Sequence, residues 1–323
     1  MASLPKAFKL NSGYTIPSIG MGCWMGGPGV ENARLKKGLE EALKAGYRHF
    51  DTAAAYANEK EVGEAVRSSG VPREELFITT KLWNSEHHDP KTALEKSLKE
   101  LDMDYVDLYL IHFPQHTDAK NPFKKAEKEK EVSFNECWRL MEELLGTGKV
   151  RSIGVSNFSV KNLKKLLETA KVVPAVNQIE MHPFHPDRST LDFCNSHGIH
   201  VTAYSPLGFT SPSVRGNRTL QAIAEEIGND TTTAQVALSW AVKRGTSVTP
   251  KSSDPKRMRE NFTLVELTED QAERIEHIAD DPQMKSRTST GPWNGKTVFS
   301  WTLEELGWET GFHDLERQQK GKM

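Results

Sequence analysis

Cysteine is scarce in this chain, and its three copies, Cys23, Cys137 and Cys194, lie far apart with no CxxC spacing. That arrangement excludes a disulfide framework and a zinc ribbon. No run approaches the roughly 18 apolar residues that a membrane span requires. The opening Met1-Ala2-Ser3-Leu4-Pro5-Lys6 also lacks the apolar core of a secretory signal. The protein is therefore expected to be soluble and cytoplasmic, and triplets such as Asn217-Arg218-Thr219 carry no glycosylation signal. Excess charge is missing too: 42 basic against 44 acidic residues leave a formal net charge of −2. Such a balance argues against nucleic acid or an anionic membrane as partner. A dinucleotide fingerprint of the GxGxxG type is absent, because in Gly20-Met21-Gly22-Cys23-Trp24-Met25-Gly26-Gly27 the third glycine position is Met25. A Rossmann domain is thereby disfavoured.

What the chain does contain is alternation. Strand patterns at Ile19–Cys23, Arg48–Asp51, Leu76–Thr80, Val106–Ile111, Val150–Ser156, Ala175–Ile179, Ile199–Tyr204 and Thr246–Thr249 are interleaved with helical patterns. Those helices include Val30–Ala45, Pro90–Leu101, Phe134–Leu145, Val160–Ala170 and Thr233–Val242. Eight βα units in roughly 250 residues predict an α/β fold of the (β/α)8 TIM-barrel type, with an open doubly wound sheet as the alternative. One domain over residues 1–323 is expected. Three segments lie outside the repeat: a hairpin pattern at Phe8–Ile16, turning at Asn11-Ser12-Gly13, a polar insertion at Gln115–Ser133, and a tail at 281–323. The charges of Lys124–Glu131 read as solvated surface. In the tail, Trp293, Phe299, Trp301, Trp308 and Phe312 are too many aromatics for a disordered end, and predict a loop that packs on the barrel or lines its pocket.

Polar residues sit where strand patterns stop: Asp51 and Tyr56 after the second, Lys81 after the third, His112 after the fourth. A barrel builds its active site at that end. A phenol, with a reference pKa of about 10, is a poor acid at neutral pH. A neighbouring ammonium is expected to lower that value, and an aspartate to hold the ammonium in place. A neutral imidazole can donate to a substrate oxygen, so the set describes a device that delivers a proton to a carbonyl. Taken singly, Lys81 with Asp51 also reads as a structural ion pair, and His112 as a core histidine. Downstream, Ser156-Asn157, Gln178 and Tyr204-Ser205 end three further strands and offer two amides and an aromatic face for a nicotinamide. Lys251, Ser252 and Arg257 flank a new helix start and suit a phosphate. Glu86-His87-His88-Asp89 and His182-Pro183-Phe184-His185 lack metal-site spacing, so no metal is expected. Asp89-Pro90 reads instead as a helix cap followed by a first-turn proline.

These residues fall within motifs that resemble those of the aldo-keto reductases. They are His49-Phe50-Asp51-Thr52-Ala53 with Tyr56, Thr80-Lys81-Leu82-Trp83, Leu110-Ile111-His112-Phe113-Pro114, Gly154-Val155-Ser156-Asn157-Phe158, Asn177-Gln178-Ile179-Glu180, Ala203-Tyr204-Ser205-Pro206 and Pro250-Lys251-Ser252 to Glu260-Asn261. The resemblance spans about Phe8 to Asn261, and its texture is nearest to the fungal and plant aldose-type members. It implies a barrel that binds NADPH/NADP+ without a Rossmann domain. Asp51, Tyr56, Lys81 and His112 would be catalytic. Ser156, Asn157 and Gln178 would hold the carboxamide, with Tyr204 stacking and Ser205 beside it. Lys251, Ser252 and Arg257 would take the 2′-phosphate, and Glu260 and Asn261 would face the adenine. Trp24, Trp83 and Phe113 would surround the substrate.

The implied activity is reduction of aldehydes or short aldoses by a monomer or homodimer. A polyol dehydrogenase working in oxidation is the alternative, and a cofactor-binding regulatory subunit of the same fold is the reading from another class. The absence of a long extension before Phe8 speaks against the regulatory subunit. One departure is Asp254, within the phosphate turn, which either caps the helix begun by Pro255 or faces the phosphate.

Overall fold

The computed structural model describes residues 3–29, 32–208, 214–289 and 296–308. Trp293 and Phe312 lie outside these, as do Val30 and Glu31 at the expected start of the first helix. In chain order the elements are β1 (Ala7–Lys9), β2 (Thr15–Pro17), β3 (Met21–Gly22), α1 (Asn32–Ala45), β4 (His49–Asp51), α2 (Glu59–Ser68), β5 (Phe77–Leu82), α3 (Pro90–Leu101), β6 (Val106–Ile111), α4 (Phe134–Glu142), β7 (Val150–Ser156) and α5 (Val160–Leu167). There follow β8 (Val176–Glu180), α6 (Arg188–Ser196), β9 (His200–Tyr204), α7 (Arg218–Ile227), α8 (Thr233–Lys243), β10 (Ser247–Thr249), α9 (Pro255–Phe262), α10 (Glu269–Glu276) and α11 (Leu303–Leu306).

Strands β3 to β10 pair in sequence order, every pair parallel. A bridge between Ile19 and Val248 joins the two edges, reinforced by Gly20 N–H to Val248 O at 2.8 Å and Val248 N–H to Ser18 O at 2.9 Å. The result is the expected (β/α)8 barrel with helices outside. Gly22 is required at this seam because a Cβ there would lie 2.8 Å from the Thr249 carbonyl oxygen. β5 and β6 are buried on both faces, as strands walled by helices outside and a filled lumen inside must be.

The hairpin closes the floor. Leu10 and Ile16 pack with Phe77, Leu108, Leu110, Ala175 and Val176 into an apolar cluster inside the barrel base. The larger core lies between sheet and helices. Local caps agree with the sequence reading: Asp89 accepts from Thr92 N–H ahead of Pro90, and Asp254 accepts from Arg257 N–H at 3.0 Å ahead of Pro255. Some bounds differ. β5 runs on to Leu82, which places Lys81 inside a strand rather than beyond it. α4 stops at Glu142, where turns lead to Gly146 at φ +83°, instead of reaching Leu145. Among the described residues, no helix is long and apolar enough to cross a membrane.

Candidate active site

Strand pleat decides which side chains enter the lumen, since alternate residues share a face. Asp51 ends β4, Lys81 lies near the end of β5, and His112 directly follows β6. Tyr56 closes a 3-10 turn, Ala54–Tyr56, after β4. Lys81 Nζ donates to Asp51 Oδ1 at 2.5 Å and to Thr52 O at 2.8 Å, with both ionic side chains essentially solvent-free. The same ammonium lies 5.2 Å from the Tyr56 ring centre. The Tyr56 and His112 rings meet edge to face with centres 5.7 Å apart. The four polar residues therefore converge at the carboxyl mouth.

Electrostatics there depart from expectation in one respect. Desolvation, then the negative charge of Asp51, push the Tyr56 phenol well above its usual range. Asp51 engages the Lys81 ammonium directly, and the Lys81 charge does not outweigh the burial of the phenol. The phenol is consequently protonated throughout the neutral range. Burial, assisted by the Lys81 charge, holds His112 well below the usual histidine value, so its ring is neutral. Its Nδ1 has no hydrogen-bond partner.

Trp24, Trp83 and Phe113 frame this cluster. Trp24 packs on Tyr56 at 4.9 Å, Trp83 on His112 at 5.5 Å, and Phe113 stacks on His112 at 5.3 Å. The tail adds Phe299, whose ring meets Trp83 at 5.3 Å and Phe113 at 5.0 Å. Gln115 Nε2 holds the Val298 carbonyl at 2.8 Å, and Lys125 of the polar insertion pairs with Glu305 of α11 at 2.8 Å. Insertion and tail thus meet over the mouth. The Lys124–Glu131 run is otherwise exposed or half-exposed, as its charges predicted.

The second group forms one hydrogen-bonded chain. Tyr204 Oη donates to Asn157 Oδ1 at 2.8 Å, Asn157 Nδ2 donates to His112 O at 2.9 Å, and Ser156 Oγ donates to Gln178 O at 2.8 Å. Gln178 Nε2 donates to Asp51 Oδ2 at 2.6 Å. Asn157 and Ser205 both adopt left-handed backbone, at φ +66° and +48°, which turns the chain sharply as it leaves β7 and β9. Beyond β10, Lys251 and Arg257 are exposed while Ser252 and Asn261 are buried and Glu260 is half-buried. Asp254 spends one oxygen on the α9 cap, and its other lies 4.0 Å from Arg257 Nε. Cations, a hydroxyl and helix N–H groups at one helix start suit a phosphate, and the upstream amides and phenol suit a nicotinamide.

Sequence reading missed the carboxylate of Glu180. Two residues after Gln178, it shares the inward face of β8, a spacing that could have exposed it. Its Oε1 accepts from Thr288 N–H at 2.6 Å, Ser289 N–H at 2.9 Å and the His182 ring at 3.1 Å. Arg287 lies 3.9 Å from its other oxygen and over the Trp308 ring at 4.1 Å. Glu180 thus latches the tail to the barrel. Burial alone raises a carboxyl, but the His182 hydrogen bond and the charges of His182, Arg287 and His185 outweigh it and hold Glu180 far below the usual range. A depressed folded-state pKa stabilises above the unfolded value of about 4.3, and that contribution fades as pH falls toward the folded value. The Tm deficit of Glu180→Gln relative to the unmodified protein should accordingly shrink between pH 7 and pH 3. An unchanged deficit in calorimetry would remove the latch. Neither histidine motif gathers a metal-ligand set: among the described residues, no group of three potential ligands converges. His87 instead stacks on His116 at 5.6 Å.

A parallel eight-stranded barrel with a protonated phenol and a neutral imidazole converging at its carboxyl mouth is equipped for acid–base chemistry on a polar double bond. The chain belongs to the aldo/keto reductase family, whose model matches residues 18–280. It is 44% identical over 309 residues to glycerol 2-dehydrogenase (NADP(+)) of Saccharomyces cerevisiae, covering 91% of this chain and 97% of that one. An aldehyde reductase of the same yeast is 44% identical over 286 residues, covering 84% and 90%. A Bombyx mori aldo-keto reductase solved in complex with NADP superposes with a TM-score of 0.80 at 32% identity, covering 93% of this chain and all of that one.

Proposed function

We propose that this chain is an NADP(H)-dependent reductase of aldehydes and short aldoses, with Tyr56 as proton donor. The observation that carries the reading is the convergence of Tyr56 and His112 beside the buried Lys81–Asp51 pair. When bound, the dinucleotide supplies the hydride for the carbonyl carbon. Tyr56 and His112 hydrogen-bond the carbonyl oxygen, and Tyr56 releases its proton as negative charge develops there. Neutral His112 can donate without competing as an acid. Trp24, Trp83 and Phe113 give the substrate carbon chain an apolar wall, and exclude water from the reacting atoms.

Ser156, Asn157 and Gln178 would hold the carboxamide and Tyr204 would offer its face to the nicotinamide, with Ser205 turning the chain beside it. Lys251, Ser252 and Arg257 would receive the 2′-phosphate, and Glu260 and Asn261 would serve the adenine. The α9 cap draws Asp254 toward the helix backbone, which supports a preference for NADPH over NADH. Arg257→Ala is expected to weaken NADPH by at least about tenfold through one lost charge-assisted bond, with little change for NADH. Fluorescence titration with each dinucleotide measures both, and equal weakening of the two would remove Arg257 from phosphate recognition.

A second reading, oxidation of small polyols, is favoured by the similarity to a glycerol 2-dehydrogenase. Because the phenol lies so high, oxidation should rise with pH while reduction persists through neutrality. Steady-state NADPH consumption with glyceraldehyde, set against NADP+ reduction with glycerol at pH 7, tests the direction. Faster glycerol oxidation would make the dehydrogenase reading the better one.

A further inference from the structure

The reductase reading uses Gln178 as a partner for the nicotinamide carboxamide, yet its side chain is already bonded elsewhere. Nε2 donates to Asp51 Oδ2 at 2.6 Å across the barrel lumen, between residues that are 2% and 4% exposed. Asp51 Oδ1 takes Lys81 Nζ at 2.5 Å. The carboxylate is therefore divided between an ammonium from β5 and an amide from β8. Asp51 is the one partner of the Gln178 side chain among the described residues, which leaves Oε1 and a second N–H for an amide ligand. The Gln178 backbone is held as well, since its carbonyl accepts from Ser156 Oγ and from Asn157 N–H at 2.9 Å.

Resting on the reductase reading, we propose that Gln178 is a positioning residue for Asp51, coupling occupancy of the nicotinamide site to the acidity of Tyr56. The groups facing Tyr56 are Asp51, Cys23, Lys81, His112 and the Tyr204 phenol. Asp51 opposes formation of a phenolate and Lys81 favours it. An N–H donated to Asp51 Oδ2 disperses the carboxylate charge and fixes its orientation, so more of the Lys81 field reaches the phenol. A carboxamide engaging the free Oε1 polarises that N–H further and strengthens the same bond. Without the amide, Asp51 keeps an unshared buried oxygen and Tyr56 becomes harder to ionise.

The test uses Gln178→Met, close in volume but without the N–H, and Gln178→Glu, which keeps the shape and sets an acid against Asp51. The pH profile of alcohol oxidation by NADP+ reports the Tyr56 ionisation. Loss of one charge-assisted bond is expected to move its rising limb up by about one to two pH units in Gln178→Met, and further in Gln178→Glu. On an Asp51→Asn background, Gln178→Met should add no further shift. A cofactor-free readout accompanies it: the urea stabilities of Gln178→Met and Asp51→Asn should be non-additive, because the two residues share a bond. Weaker NADP+ binding with an unmoved limb, or additive effects with Asp51→Asn, overturns the inference and leaves Gln178 a simple ligand. If the unmodified protein neither binds NADP(H) by fluorescence quenching nor turns it over, the reductase reading fails first and the inference with it.

Discussion

Tyr56→Phe should lower carbonyl reduction by about 100-fold or more, since a positioned general acid contributes roughly 10²–10⁴. NADPH binding should persist, because the lost hydroxyl serves the substrate oxygen and not the dinucleotide. The ring itself remains, so its contacts with Trp24 and His112 survive the change. The loss should therefore fall on kcat as well as kcat/KM, the signature of a contact made in the transition state. Stopped-flow single turnover with prebound NADPH separates this from slower product release. Turnover close to that of the unmodified protein would take Tyr56 out of the mechanism.

Lys81→Met is expected to have the largest effect on stability. Lys81 is fully buried and its ammonium meets a carboxylate that is also sealed from water. Removing the cation strands the Asp51 charge in the lumen, and breaking one side of such a pair typically costs about 3–5 kcal/mol. Asp51→Asn combined with Lys81→Met removes both charges and should recover much of that loss in urea denaturation. Activity should not return, because Lys81 no longer faces Tyr56. Lys81→Met alone as stable as the unmodified protein would mean that Asp51 is accommodated without its partner.

Much of this site is legible in the chain because its determinants are local. Val106–Ile111 is apolar apart from Asp107, and Val150–Ser156 sets Val150, Ile153 and Val155 among small or polar residues, and the strands keep those bounds. Asp89-Pro90 fixes the start of α3 by capping chemistry. α2 is harder to see, since Gly63 interrupts its pattern. A Cβ at that position would collide with the Leu101 carbonyl, a neighbour 38 positions away that no local pattern reveals. Lys81 reads as a loop residue because a charged side chain in a strand is unexpected without knowledge of Asp51 across the lumen. The same reason hides the Gln178–Asp51 bond, 127 positions apart. Tail docking depends on Phe299 and Ser300 in left-handed backbone, at φ +42° and +80°, and on a bridge between Val298 and Trp301. Nothing in the composition of that segment predicts either. The sequence points to a lowered phenol pKa for a related cause: charge type is visible in sequence, whereas the desolvation that outweighs it belongs to the fold.

Hydride delivery at the barrel mouth is tested most directly by isotope transfer. NADPH carrying deuterium at both nicotinamide C4 positions is mixed with glyceraldehyde and the protein, and the polyol product is analysed by mass spectrometry. One deuterium on the newly formed carbinol carbon, absent from the Tyr56→Phe reaction over the same interval, is the predicted result. NADPH consumption that yields an unlabelled alcohol, or equal labelling by Tyr56→Phe, would contradict the account.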